Sequence, residues 1–130
     1  MKNVNKFFFV LLVLALSTLI ETTYSQSIYF CEGVDDDGEP INESSVFTIP
    51  NNGGYLYVLI QLPYAVNCRK VDLVIYRNGA YDNTIRIDTQ KNWTWFWEKV
   101  TFYDDGDYDV YVYDCNNYLL TDGSLEIEFD

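Results

Sequence analysis

Apolar and polar residues alternate with period two along most of this chain, and no stretch sustains the helical period. Such alternation puts one set of side chains on each face of an extended strand, so it selects half-buried strands over amphipathic helices. In Tyr55–Leu62, Leu56, Val58, Ile60 and Leu62 share one face, and Tyr55, Tyr57, Leu59 and Gln61 the other. Lys70–Arg77 places Val71, Leu73 and Ile75 together, and Asp107–Asp114 does so with Tyr108, Val110 and Val112. Leu119–Phe129 returns with Leu125, Ile127 and Phe129 inward, interrupted at Asp122-Gly123.

Turn chemistry separates these runs. Pro50-Asn51-Asn52-Gly53-Gly54 closes the short strand Val46–Ile49, Asn78-Gly79 follows Lys70–Arg77, and Asn116-Asn117 precedes Leu119. Each supplies residues that tolerate a positive φ or fix a turn. Ser27–Glu32, Thr84–Asp88 and Trp93–Tyr103 complete the strands, while Val34–Ser45 reads as a polar loop or hairpin tip with three consecutive aspartates. Seven or eight short strands with regular turns predict an all-β chain, an antiparallel β-sandwich.

Residues 1–25 read as an export signal: Lys2 and Lys6 precede an apolar run of 10 residues, Phe7 to Leu16, and a small polar tail ends at Ser25. That run is too short to span a bilayer, which takes about 20 residues. Residues 26–130 then form one domain, secreted or periplasmic, with no membrane insertion after cleavage. The Lys/Asn/Phe-rich leader has a bacterial cast.

The stretch Asp104-Asp105-Gly106-Asp107-Tyr108-Asp109-Val110-Tyr111-Val112 resembles the D-x-G-x-Y-x-(C/V)-x-V signature of immunoglobulin-like domains. In those domains the tyrosine hydroxyl closes a corner onto the upstream backbone. Val110 replaces the antibody cysteine and no Trp lies in Lys70–Arg77, so the likeness is to fibronectin III-like or PKD-like sandwiches. It implies an immunoglobulin-like order in which Cys68 and Cys115 fall at the same end of one sheet, and hence a Cys68–Cys115 bridge. Export permits such a bridge. Cys31, which could compete for either partner, is then left over as a buried thiol.

Composition removes several functions. The chain has no His, which excludes Ser-His-Asp and Cys-His nucleophilic pairs and His-ligated metals. A net charge of −12 opposes nucleic acid and anionic membranes. The acidic loops Asp35–Gly38 and Asp104–Asp107 read as solvated turns; the first fails the calcium-loop template because Ser44 stands at its last ligand position. No pair of carboxylates is marked for acid–base work, so the expectation is no enzyme, no cofactor and no metal.

Aromatic residues carry the remaining signal, 8 Phe, 12 Tyr and 3 Trp. If Phe96, Val100 and Phe102 point inward, Trp93, Trp95 and Trp97 point outward, with Tyr103 further along. The resemblance makes this strand a neighbour of Tyr55–Leu62, so Tyr55 and Tyr57 join the same outer face. Exposed apolar surface of this kind marks a contact site for a protein or cell-surface partner, or for a glycan.

Overall fold

Asn78 and Gly79 both have positive φ, 51° and 84°, which is the backbone of a two-residue hairpin turn matched to the twist of the strands it joins. Around such turns the computed structural model, which describes residues 27–130, is built from strands; the expected leader over 1–25 lies outside these residues. In chain order they are β1 (Ser27–Cys31), β2 (Gly33–Val34), β3 (Pro40–Ile41), β4 (Val46–Ile49) and β5 (Gly54–Gln61). Then come β6 (Lys70–Arg77), β7 (Ala80–Asp88), β8 (Trp95–Phe102), β9 (Gly106–Tyr113) and β10 (Leu119–Phe129).

Two sheets face each other, one of order β1-β5-β8 and the other of order β4-β10-β9-β6-β7. Their inner faces supply one apolar core. Leu56, Val58, Ile60, Phe96, Val100 and Phe102 come from the smaller sheet, and Val71, Leu73, Ile75, Val110, Val112, Leu125 and Ile127 from the larger. The arrangement is an immunoglobulin-like β-sandwich. The signature loop behaves as the resemblance implies: the Tyr108 hydroxyl donates to the Asp104 carbonyl at 2.7 Å. The Cys68–Cys115 disulfide joins the approach to β6 to the exit from β9.

Three local expectations need correction. Phe129 is 39% exposed because β10 outruns the core at its end. The strand at Thr84–Asp88 begins earlier, at Ala80, since the Asn78-Gly79 turn is tight enough to start pairing at once, Arg77 opposite Ala80. The sandwich is not wholly antiparallel, because β4 runs parallel to β10 after the chain crosses from the smaller sheet to the larger. Of the two readings of Val34–Ser45, the hairpin tip holds: the stretch forms the β2–β3 hairpin inserted at that crossing.

Candidate functional site: an aromatic face and an open seam

Register fixes which side chains share the outer face of the smaller sheet. Leu59 lies between Tyr29 on β1 and Trp97 on β8; Tyr57 pairs with Lys99, Tyr55 with Thr101 and Gln61 with Trp95. Trp95 and Trp97 therefore point away from the core, as the alternation requires, while Phe96 between them is buried.

The hairpin rearranges this face. After β1 the chain turns back across the sheet, so Gly38 at the hairpin tip reaches the Gln61–Trp95 end. The Gln61 amide donates to the Gly38 carbonyl at 2.7 Å. A Cβ on Gly38 would stand 2.5 Å from Trp95 Cδ2, so the tip rests directly on the indole. Beneath the fold-back, Leu59 and Cys31 are fully buried although both lie outside the central core cluster. The Cys31 thiol, which donates to the Tyr57 carbonyl at 3.6 Å, is raised above its ordinary pKa mainly by burial. At the tip the Asp35 carboxylate accepts from the backbone N–H groups of Asp37 and Glu39 at 2.8 and 2.9 Å, which makes the aspartate run a turn device.

Uncovered rings remain beside the hairpin. Tyr57 and Trp97 meet edge to face at 5.2 Å, and Tyr55 continues the row at 6.2 Å from Tyr57. Lys99 Nζ sits 3.9 Å above the Tyr55 ring, a cation–π contact. Tyr55 is 58% and Trp97 45% exposed. The other candidates separate from this row: Trp95 is half-buried under Gly38, Trp93 lies just before β8, and Tyr103 stands against the Gly53 turn. Six rings do not form one continuous face.

Trp93, Trp95 and Trp97 do share a second feature, a groove of about 690 Å³ whose opposite wall is Arg86, Ile87 and Asp88. Glu98 also lines it; its carboxyl is held above the ordinary range, first by burial and then by the charge of Asp88. Sequence reading missed this pairing because Asp88 and Glu98 belong to different sheets and only the strand order brings them together. It also missed Tyr76, Tyr81 and Tyr111, which stack edge to face on the larger sheet at 5.7–6.0 Å. Alternation within Lys70–Arg77 and Asp107–Asp114 could have signalled two of those rings. Among the described residues, no three Asp, Glu or Cys side chains gather as a metal-binding group.

No protein-family model matches the chain, and no curated protein does. Among solved structures it is similar to a superoxide reductase (neelaredoxin) from Ignicoccus hospitalis, at TM-score 0.45 and 13% identity over 83% of this chain and 82% of that one. It is also similar to the CARDB domain of a Pyrococcus furiosus protein, solved in complex with di-metal ions, at TM-score 0.40 and 13% identity over 84% of this chain and 100% of that one. At these scores, function has to be argued from this chain's own residues.

Proposed function

We propose that the protein is an exported, non-enzymatic binding module that engages a protein or cell-surface partner through the aromatic surface of its smaller sheet. The observation that carries this reading is the Tyr55–Tyr57–Trp97 row, a contiguous set of rings outside the hairpin whose two ends, Tyr55 and Trp97, are exposed, with the Lys99 ammonium over Tyr55. Rings of this size supply large contact area at low conformational cost, which is why they anchor protein interfaces. The Cys68–Cys115 bridge and the leader-like residues 1–25 support export. The finer likeness to fibronectin III-like or PKD-like sandwiches belongs to the same proposal.

Ring geometry favours protein over glycan. A sugar stacks on a flat aromatic platform, whereas these planes stand at 75° and 87° to one another. Trp97→Ala is the discriminating variant, because Trp97 ends the row and is exposed. The wild-type protein immobilised on a column should retain a defined protein from surface extracts of its host, and the variant should not, with Tm within ~2 °C of wild type. Retardation of the wild type in polysaccharide gels, lost in the variant and reversed by free sugar, would transfer the site to carbohydrate recognition.

A further inference from the structure

The sandwich is closed along one side and open along the other. On the closed side β1 packs against β10 so tightly that a Cβ on Gly123 would meet Ile28 Cγ2 at 2.7 Å. On the open side β8 ends the smaller sheet, β7 ends the larger, and neither pairs with the other. Two cavities lie along this seam, about 690 Å³ at the Trp93 end and about 270 Å³ at the Tyr108 end. The first is walled by the unbroken runs Thr94–Glu98 and Arg86–Asp88. Successive residues of a strand point to opposite faces, so an unbroken run can line a groove only at a strand's edge. The backbone groups of β8 on this side have no ladder partner among the described residues.

Charge decides what can enter. Glu98 shares the inward side of β8 with Phe96 and Val100 and lies opposite the fully buried Val58. Across the seam stands Asp88, and neither carboxylate has an ion pair or side-chain hydrogen bond among the described residues. Two cations flank Asp88, Arg86 on β7 and its cross-strand neighbour Lys70 on β6, and both pair with Asp72, at 3.5 and 3.8 Å. Further along, Asp82 and Asp104 line the second cavity, so the seam is acidic at both ends. An inward charge on an edge strand ordinarily protects that edge from pairing. Here it rejects apolar strands and a second copy of this acidic chain, whose own Glu98 would be brought into the same seam.

We propose that the seam docks an extended basic segment of a partner protein, which adds to β8 as a fourth strand and sets a Lys or Arg side chain between Asp88 and Glu98. Main-chain hydrogen bonds to β8 provide binding, and the two carboxylates select the cation. This rests on the protein-binding reading above and names the chemistry of the partner.

The test uses a short blocked peptide alternating Lys with Val, the same peptide with Glu for Lys, and a Lys/Val peptide N-methylated at alternate residues so that it cannot pair as a strand. The Lys/Val peptide should shift tryptophan emission saturably and slow hydrogen exchange at alternate amides between Trp95 and Thr101. Both other peptides should fail. Asp88→Asn with Glu98→Gln should weaken binding about tenfold while every ring stays in place. Equal binding of the N-methylated or Glu peptide, no binding at all, protection confined to other strands, or a seam-mediated dimer in sedimentation would each overturn the proposal. The two readings fail separately. A natural partner lost in Trp97→Ala but fully retained by the Asp88/Glu98 double variant refutes the seam and leaves the protein-binding reading standing.

Discussion

Glu98 shows how a single residue carries both a cost and a use. Its carboxyl is raised by burial and by Asp88, so between the ordinary carboxylate range and the raised value the folded chain keeps a proton that the unfolded chain has released. Stability therefore falls as pH rises through that window, and above it the charged Glu98 is a net burden. Glu98→Gln should raise Tm at neutral pH by about 2 °C, and the gain should vanish near pH ~3, where Glu98 is protonated in both states. Thermal melts of the two proteins at both pH values decide it; a loss of stability at neutral pH would mean that Glu98 has a partner in the fold. Tyr108 is the opposite case, because its hydroxyl satisfies the Asp104 carbonyl while its ring packs 4.8 Å from Phe102. Tyr108→Phe should cost about 1 kcal/mol in denaturant unfolding, with an unchanged m-value. Its role was legible from nine residues of sequence, since a corner is local. The burden on Glu98 was not, because Asp88 reaches it only through tertiary structure.

The β2–β3 hairpin is the element whose role the sequence concealed. Val34–Ser45 is polar and acidic, the composition of a solvated loop, yet its backbone folds back and covers Leu59, Cys31 and part of Trp95. What makes this possible is one glycine. Gly38 has φ +81° and no side chain, so the tip can lie on the indole and accept the Gln61 hydrogen bond. Gly38→Ala should lift the hairpin and destabilise the fold by about 1–3 kcal/mol through steric conflict and backbone strain. It should also redden tryptophan emission and make Cys31, fully buried in the wild type, accessible to thiol reagents. Slow thiol reaction and unchanged emission in the variant would show that the hairpin holds without the tip contact. Alternation correctly sent Trp95 and Trp97 outward, but outward is not exposed where another element returns over the sheet. The parallel β4–β10 pair was hidden for a similar reason: four residues show alternation without showing which sheet they join.

At the scale of the whole molecule, the acidic charge and the open seam belong to one argument. Over the described residues the chain carries 6 basic and 19 acidic side chains, a net charge of −13. Only three ion pairs form among them, two sharing Asp72 and all partly exposed, so attraction offsets little of the repulsion. The Cys68–Cys115 bridge counters that repulsion by limiting the unfolded chain, and replacing both cysteines with Ser should cost roughly 2–4 kcal/mol. Added salt should act in the same sense as the bridge. Raising ionic strength from about 0.01 to about 0.15 M shortens the screening length from about 30 to about 8 Å, less than the width of the domain. Tm should then climb by a few degrees and level off, whether the salt is NaCl or KCl. The same change should weaken binding of the Lys/Val peptide, because it screens Asp82, Asp88, Glu98 and Asp104 from the incoming cations. Opposite responses of stability and affinity would tie both to one field: the carboxylates that strain the folded chain are those that draw a basic strand to its open edge. Thermal melts and peptide titrations in the same salt series test it. Affinity that is flat in salt would detach recognition from charge and leave strand pairing and the aromatic rings as its sources.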